Sequence, residues 1–420
     1  MIDRRGFFAQ SAALVLAPSL ARGQTARKKV AFLGTEVRTH SHAQHFLDRM
    51  TLGYNWEGEW LAPRVDIASI YIEQAPEGDL TPGRVARHKL RQFPTIEEAL
   101  TLGGSQLAVD GVVIIAEHGK YPKNEKGQTL YPRYEFFKKV VKIFEQSGRS
   151  VPVFNDKHLS TTWARCQEMV DDSRRLDFPF LAGSSLPVTW RLPQVEMPLD
   201  TPLVESVCVG YGGIDSYDFH GLETAQCMSE RRLNGEHGIR QVHALKGEAL
   251  WKVLADENRE TTRRLMVAAL NCSHNLPVVT GYPSDRVTFE WARTTFPDMI
   301  GYLIEHVDGF RTTLFLAAIR DFNYAGLRAD NNKVVSCQMY LPMPGQSATT
   351  ADFFNPLTRH IEELFINRAT NYPVERTLLT SGMVIAAVDS LHQGQVPIET
   401  PEMRVTYKAP RESQFRRNGS

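Results

Sequence analysis

The sequence has no surplus of charge of either sign and no long apolar run. Lys+Arg and Asp+Glu each number 48 in 420 residues, whereas a protein that coats nucleic acid normally carries a basic surplus. No apolar stretch reaches the roughly 18–20 residues that a bilayer-spanning helix requires. Hydrophobic residues make up 42% of the chain, which is typical of a folded globular protein. We therefore expect neither a nucleic-acid partner nor a permanent membrane anchor.

Closely spaced cysteines are absent as well. The chain has five cysteines, and without a C-x-x-C pair among them a zinc–cysteine site is not expected. An odd number of scattered cysteines indicates buried thiols and not a disulfide framework. The five are Cys166, Cys208, Cys227, Cys272 and Cys337.

The first 26 residues have the features of an export signal. Arg4-Arg5 precedes a short, modestly apolar segment, and Ala21-Arg22-Gly23 is a small-x-small cleavage site. The arginine pair, followed by Gly-Phe-Phe, resembles the twin-arginine type, which implies the twin-arginine export machinery as a partner. An amphipathic first helix is the alternative, but Pro18 interrupts it. We expect a protein that is periplasmic or secreted after cleavage.

Short apolar runs alternate with helical segments from Lys29 onward. This alternation predicts an α/β fold with a doubly wound, Rossmann-like parallel sheet at residues 28–187. Near Val188 the pattern changes to a largely antiparallel open sheet with longer helices, which predicts a second α/β domain at 188–390 and an extended tail at 391–420. The expected strands are Val30–Leu33, Val65–Ile72, Val112–Ile115, Val151–Phe154, Phe178–Ala182, Val204–Val209, Ile239–Leu245, Val287–Phe289, Tyr302–His306 and Thr312–Leu316. The longer helices are Leu250–Asn271, Pro356–Arg368 and Arg376–Leu391.

The residues just after the strands of the first sheet are the first candidates for a site. Ligands of doubly wound sheets bind beyond the carboxyl ends of the strands, and most of these ends carry ionisable groups. One of them is the stretch 155–160, in which Lys157 lies between an acid and an imidazole. Such a lysine can hold a hydroxyl or share a proton with it. A solvated lysine in a surface loop is the alternative.

A second stretch suited to proton transfer lies at 212–223. Here His220 and Glu223 are three residues apart, which places them on one helical face. Asp215 and Asp218 lie just upstream and can orient the imidazole or stabilise its charge. A helix-capping aspartate beside a hydrogen-bonded structural histidine explains the same pattern, so this reading stays open.

These motifs, in this order, resemble the Gfo/Idh/MocA oxidoreductases. Gly34 at a strand end, the Asp156-Lys157 element and the Gly-rich stretch that leads to His220 follow the order of that family. Residues 371–382 and the helix after them resemble its closing helix, so the resemblance spans most of residues 28–400. It implies a Rossmann domain that binds NAD(H) or NADP(H), and a second domain that covers the substrate and supports a homo-oligomer, either a dimer or a tetramer.

The resemblance also implies roles for individual residues. Hydride would pass between the nicotinamide and a secondary hydroxyl of a sugar, glycoside or cyclitol. The implied catalytic residues are Lys157, His220, Asp218 and Asp215. The implied cofactor contacts are Gly34, Thr35, Arg38, Glu73, Glu117, His118 and Asp156. The implied substrate contacts are His158, Trp190, Arg191 and Glu223, with interdomain packing as the alternative for Trp190 and Arg191.

The loop after the first strand departs from the family pattern. It holds one glycine, Gly34, where a G-x-G-x-x-G-like loop is expected, and Glu36 brings negative charge to the diphosphate position, which Arg38 can compensate. The acid expected four residues before His220 is replaced by Ser216. His40, His42 and His45 follow this loop and are assigned a solvated or capping role.

Two other functions fit the same residues. Several nitrogen and oxygen ligands are expected near one cleft, and three or four around a divalent ion would give a metal-assisted hydrolase or lyase for glycosides. The ligands considered are Glu73, Glu117, His118, Asp156, His158, His220 and Glu223. A periplasmic sugar-binding protein without turnover is the other alternative. We assign no metal site, and we expect the loop Asn124–Gln128 to cover the cleft.

Overall fold

The computed structural model describes residues 26–277, 285–342 and 350–417. The predicted export signal at 1–26 lies outside these ranges except for Ala26, so export and the periplasmic or secreted location stay predictions. All five cysteines are free and four are buried, as their odd number predicted. Within the described ranges, no helix combines the length and the apolarity that crossing a bilayer requires.

A five-stranded parallel sheet forms the first domain, which confirms the predicted fold class. The domain consists of β1 (Lys28–Gly34), α1 (His42–Leu52), β2 (Tyr54–Trp56), β3 (Glu59–Leu61), β4 (Val65–Ile72), α2 (Thr81–His88), α3 (Ile96–Thr101), β5 (Gly111–Ile115), α4 (Arg133–Ser147), β6 (Val153–Asp156), α5 (Trp163–Arg175) and β7 (Phe180–Gly183). The sheet has the order β4-β1-β5-β6-β7. After β4 the chain crosses back over β1, so that β5 and the later strands are added on the other side of β1. Ligands of such sheets bind at this switch point between β1 and β5.

A mostly antiparallel sheet forms the second domain, again as predicted. Its elements are β8 (Arg191–Leu192), β9 (Leu203–Tyr211), α6 (Asp218–Ser229), β10 (Ile239–Lys246), α7 (Glu248–Leu254), α8 (Glu260–Leu270), α9 (Phe289–Thr295), β11 (Ile300–His306), β12 (Arg311–Ala317), β13 (Phe322–Arg328), β14 (Val334–Met339), α10 (Phe354–Asn367), α11 (Glu375–His392) and β15 (Ile398–Glu399). The sheet order is β15-β10-β11-β12-β9-β13-β14-β8, and only β9 and β12 pair in parallel.

Two local predictions in the second domain are wrong. Val287–Phe289 is not a strand, because Thr288 caps α9 by accepting the Trp291 N–H on its side chain. The single helix expected at Leu250–Asn271 is divided into α7, a 3₁₀ turn at Glu257–Arg259 and α8. A three-residue apolar run is too short for its periodicity to distinguish a strand from the start of a helix.

Helices cover both faces of the second sheet. Val207 and Val209 of β9 pack in the core that includes α8, whereas Cys208, whose side chain points to the other face, packs in the core that includes α6 and α11. One face of this sheet therefore has α8 packed on β9, β13 and β14. The homo-oligomer stays a prediction.

The helix α11 fastens the second domain to the first sheet. Tyr372 Oη, just before α11, and Thr377 Oγ1 both donate to the carbonyl of Ala182 in β7, at 3.1 and 2.7 Å. Ser381 Oγ accepts the backbone N–H of Leu159 at 3.0 Å. These contacts hold the carboxyl ends of β6 and β7 against α6 and α11, and the candidate site lies at this junction.

Candidate active site

Lys157 lies at the carboxyl end of β6 with its side chain buried between the domains. Its backbone has a φ of 67°, in the left-handed region that residues other than glycine seldom adopt, and its N–H donates to the carbonyl of Gly183 at 3.1 Å. The residue is 5% exposed, and its Nζ lies 2.6 Å from Nε2 of His220. The structure thus brings together two groups that are 63 residues apart in sequence.

His220 belongs to the first turn of α6 and is held neutral. Burial, and next the positive charge of Lys157, lower the pKa of this imidazole well below its usual value. A neutral imidazole that accepts the Lys157 N–H at Nε2 carries its own proton on Nδ1. That Nδ1 is buried and has no hydrogen-bond partner. The pair is therefore an ammonium donor beside an uncharged base.

Glu117, at the end of β5, supplies negative charge beside Lys157. One of its carboxylate oxygens lies 3.8 Å from Lys157 Nζ, and the other accepts a hydrogen bond from Arg133. Burial disfavours the charged carboxylate, but the cations of Lys157 and Arg133 outweigh burial and hold the pKa of Glu117 well below its usual value. This carboxylate offsets part of the cost of burying the lysine as a cation.

A cavity of about 280 Å³ opens beside the Lys157–His220 pair, and we call it the active-site cavity. Its size is near the lower end of that of small-molecule sites and suits a ligand as large as one sugar ring. Aromatic side chains and imidazoles make up most of its lining. The lining residues used below are His40, His42, His45, His118, Tyr217 and Phe354.

The three histidines after the first strand have a different role from the one predicted. His42, the first residue of α1, bonds through Nδ1 to Asp156 at 2.7 Å, and His45 stacks on Phe354 with ring centroids 4.9 Å apart. Together with His40 they line the active-site cavity, so their assignment to solvent or to capping is wrong. Burial lowers the pKa of His45 to about 3. Their place directly after β1 is the signal in the sequence that points to this edge of the sheet.

Asp215 and His158 face each other next to the site. The His158 ring is 3.7 Å from the Asp215 carboxylate and 3.1 Å from Arg133 Nη1. Asp215 also accepts hydrogen bonds from Gln128 Nε2 and from the Thr129 N–H, both at 3.2 Å. Burial, and next the charge of Asp218, raise the pKa of Asp215 to about 6. The loop Asn124–Gln128, predicted to cover the cleft, is thus tied to the second domain through Asp215.

Asp218 does not line the active-site cavity. Its carboxylate accepts hydrogen bonds from the backbone N–H groups of Asp215, Ser216 and Phe219, and from the Tyr302 hydroxyl at 2.9 Å. These contacts hold the loop that precedes α6 against its first turn, so Asp218 has a structural role. Since the carboxylate is fully used in this way, the geometry does not support the catalytic role predicted for Asp218.

Glu223 is also buried away from the cavity. One carboxylate oxygen accepts hydrogen bonds from the N–H and the hydroxyl of Ser184, at 2.7 and 2.5 Å. Gly183 permits this close approach, because a Cβ at its position would lie 2.5 Å from the other carboxylate oxygen. Glu223 therefore holds the turn after β7, and the structure does not place it where a substrate contact was predicted.

Replacing Glu223 with glutamine is expected to flatten the pH dependence of stability. Burial raises the pKa of Glu223 from 4.5 to about 7. The native state therefore binds the proton more tightly than the unfolded state does, and the resulting stabilisation is fully present below pH 4.5 and is lost as the pH rises through 7. The native protein should lose on the order of 3 kcal/mol between pH 4.5 and 8 through this group. Urea denaturation across this range measures the difference between the two proteins.

A variant at an exposed position, Glu77→Gln, serves as the control, since it removes a carboxyl group without changing the buried set. It should keep the pH dependence of the unmodified protein. Equal slopes for the protein and for Glu223→Gln would show that Glu223 ionises normally, and would contradict the expectation.

Trp190 and Arg191 pack between structural elements and do not reach the cavity. The Trp190 ring meets Tyr340 edge-on at 5.7 Å. Arg191 is 3% exposed, pairs with Glu196 at 2.8 Å and lies over the ring of Phe415. The alternative of interdomain packing therefore describes both residues better than the predicted sugar contact.

The remaining predicted cofactor residues lie along the edge from β1 to β4. Thr35 continues β1 beyond Gly34, because its N–H donates to Ile115 and its hydroxyl to the carbonyl of Glu117. Arg38 pairs with Glu36 at 2.6 Å and neutralises its charge. Glu73, at the end of β4, accepts a hydrogen bond from the Tyr121 hydroxyl, a partner that the sequence did not indicate.

The geometry does not favour the metal-dependent alternative. In the part of the chain that the structure describes, no three His, Cys, Asp or Glu side chains converge as metal ligands would. The predicted ligands instead form separate pairs, such as Asp156 with His42 and Glu73 with Tyr121.

Comparison with solved structures finds the same fold in several proteins over most of the chain. GenD2 from gentamicin A biosynthesis, solved with NAD, superposes with a TM-score of 0.55 and 12% identity over 94% of this chain and 99% of that one. The myo-inositol dehydrogenase of Lactobacillus casei, solved with NAD(H) and myo-inositol, gives 0.53 and 10% identity over 89% and 97%. A putative myo-inositol dehydrogenase of Sinorhizobium meliloti gives 0.51 and 11% identity over 89% and 99%.

Sequence comparisons give no further relationship. No family model matches the chain, and no curated protein is significantly similar to it in sequence. At 10–12% identity, the structural similarity establishes the fold and not the activity. The chain therefore has the two-domain fold of GenD2 and the myo-inositol dehydrogenases, which confirms the fold implied by its resemblance to the Gfo/Idh/MocA oxidoreductases.

Proposed function

We propose that this protein is an NAD(P)-dependent oxidoreductase that acts on a secondary hydroxyl of a sugar, glycoside or cyclitol. The observation that carries the proposal is the 2.6 Å contact between Lys157 Nζ and His220 Nε2 beside a cavity at the carboxyl edge of the parallel sheet. The solved structures with the same fold support it, since GenD2 contains NAD and the Lactobacillus casei enzyme contains NAD(H) and myo-inositol.

In this proposal Lys157 and His220 act together on the reacting hydroxyl. The substrate hydroxyl takes the place of the direct Lys157–His220 hydrogen bond, so that its oxygen accepts from the ammonium and its proton is donated to Nε2 of the neutral imidazole. The positive charge of Lys157 stabilises the alkoxide that develops as the proton leaves. The nicotinamide, when bound, supplies the hydride acceptor. The Glu117 carboxylate lies 3.8 Å from Lys157 Nζ and adds negative charge beside the lysine.

The residues present fit the two ends of a dinucleotide. The active-site cavity has room for a nicotinamide-sized or sugar-sized group, and Glu73 lies at the end of β4, where a ribose-binding acid belongs. The first turn of α1 holds no acidic residue, which suits a diphosphate. Between these ends the glycine-rich turn is missing, and the Glu36–Arg38 pair takes its place. His118, which lines the active-site cavity, and Glu73 are the residues we assign to the cofactor.

Replacing Tyr121 with phenylalanine is expected to tighten nucleotide binding about 5-fold. The Tyr121 hydroxyl donates to one oxygen of the Glu73 carboxylate in the protein alone, and it competes for that oxygen with a ribose diol that would bond to both oxygens. Its loss removes a competing interaction of about 1 kcal/mol. Calorimetric titration with NAD(H) and NADP(H) measures the effect. Tyr134→Phe, which removes an exposed hydroxyl bonded to Glu168, is the control, and equal affinity for all three proteins would contradict the assignment.

The proposed function is tested with the full chain purified as it is produced. Denaturation releases any bound nucleotide or metal for identification, and a parallel assay follows NAD(P)H absorbance with a panel of sugars, glycosides and inositols. Nucleotide release, or nucleotide reduction with any member of the panel, supports the oxidoreductase. Sugar binding without nucleotide binding or turnover would replace it with the sugar-binding alternative.

A further inference from the structure

A second cavity adjoins the active-site cavity along α1. It has a volume of about 430 Å³, and His40 and His45 line both cavities, so the two are contiguous. The β2–β3 hairpin forms its outer wall, and Asp352 and Asn355 at the start of α10 form another side. Nothing in the proposed reaction uses this space, which is large enough for a further ligand group the size of a sugar ring.

Trp60 of β3 presents an exposed aromatic face at this second cavity. The residue is 62% exposed, yet its indole Nε1–H donates to the carbonyl of Leu52 at 3.0 Å, which fixes the orientation of the ring. The hairpin is held close to α1 at Gly53, whose φ is +96° and where a Cβ would meet the carbonyl of Leu61. A large apolar ring that is fixed and open to solvent is a surface for the apolar face of a ligand.

The cations around the second cavity are bonded within the protein, and the carboxylate of Asp352 has the Tyr340 hydroxyl as a partner at 3.4 Å, which indicates a ligand without negative charge. Asp48 bonds to Arg84 through both carboxylate oxygens at 2.9 Å and accepts from Gln44 at 3.2 Å. Arg49 donates to Asn355 and to three backbone carbonyls, so its guanidinium is fully used within the protein. No cation in this set is left for a phosphate or carboxylate, whereas the amides and imidazoles suit hydroxyl groups.

We propose that the second cavity is a subsite for a second sugar unit, so that the substrate is a disaccharide or glycoside whose reacting unit occupies the active-site cavity. The inference rests on the proposed function for the reacting unit. The contiguity through His40 and His45, the arginines bonded within the protein and the fixed face of Trp60 together carry it. The second unit would stack on Trp60 and take hydrogen bonds from Gln44, Asn55 and His45.

The test compares binding of matched probes by calorimetry, independently of turnover. The probes are glucose, galactose and mannose, and the disaccharides cellobiose, maltose, lactose and mannobiose, titrated into the full chain with and without NAD(H). We expect at least one disaccharide to bind about 10-fold more tightly than its monosaccharide, and Trp60→Ala to abolish that difference while leaving the monosaccharide affinity unchanged. Trp60→Phe, which keeps a ring, should retain most of it.

Leu233→Ala is the matched control, because Leu233 is also a large exposed apolar residue, at 52%, and it does not line either cavity. If no disaccharide binds more tightly than its monosaccharide, or if Trp60→Ala keeps the preference, the subsite is wrong. Nucleotide-linked turnover is recorded on the same samples. Turnover without the preference overturns the subsite alone, whereas a Trp60-dependent preference without turnover overturns the oxidoreductase and leaves the subsite in place.

Discussion

Lys157→Met is expected to lower turnover by about 10²–10⁴-fold while the protein keeps its fold. Methionine has a similar length and no charge, so it fills the buried space beside Tyr217 but can neither donate to the substrate oxygen nor stabilise an alkoxide. His220 would lose the partner that now lies 2.6 Å from its Nε2. The rate with the best substrate and nucleotide measures the loss, and circular dichroism with thermal unfolding checks the fold.

Lys142→Met is the control for this substitution, since Lys142 is an exposed residue of α4. It should leave the rate unchanged. A His220→Gln variant should lose activity to a comparable extent, and combining it with Lys157→Met should cost little more, because both residues act on the same proton. Full activity in Lys157→Met would remove the lysine from the mechanism and, with it, the proposed function.

Arg376→Met is expected to reduce the free energy of unfolding by about 3–5 kcal/mol. Arg376, on α11, makes two hydrogen bonds to Glu230 at 2.8 and 2.5 Å, and the two side chains are 4% and 1% exposed. Without the guanidinium, the Tyr407 hydroxyl at 2.9 Å is the side-chain hydrogen-bond partner that Glu230 keeps among the residues that the structure describes, so its carboxylate stays buried without its ion-pair partner. Urea denaturation at pH 8 measures the change.

A double variant makes this expectation specific to the ion pair. Arg376→Met combined with Glu230→Leu removes both charges and should recover much of the lost stability, because well-packed apolar residues can replace a buried ion pair. The exposed pair Arg328–Asp330 provides the control, and Arg328→Met should leave stability unchanged within error. A single variant as stable as the unmodified protein would show that the pair contributes nothing to holding α11.

The strand ends were predictable because a buried parallel strand is a continuous apolar run that stops where the site begins. The runs before Gly34, Glu73, Glu117 and Lys157 all became strands of the first sheet. The second domain was less predictable. Val287–Phe289 failed because a three-residue apolar run does not distinguish a strand from the start of a helix. The strands β13 and β14, at Phe322–Arg328 and Val334–Met339, were not among the predicted strands.

Some residues of the candidate site were predictable from the sequence, and others were not. Lys157 and His220 were recognisable from motif spacing, and both lie at the cavity. Asp218 and Glu223 are carboxylic acids, as many catalytic residues are, but backbone N–H groups donate hydrogen bonds to their carboxylates. The sequence does not reveal which N–H groups will donate to a buried carboxylate. The same holds for His42, whose place in the cavity depends on its contact with Asp156, 114 residues away.

The sequence alone determined the order of the elements, the edge of the sheet where chemistry is placed and the residue types that reach that edge. These follow from local periodicity and from the fact that parallel strands expose their carboxyl ends on one side. Only the tertiary structure decided which polar side chains remain available to a ligand, because burial and long-range partners set the charge of each group. It alone joined the two cavities through His40 and His45, since α1, the hairpin and α10 meet only after folding.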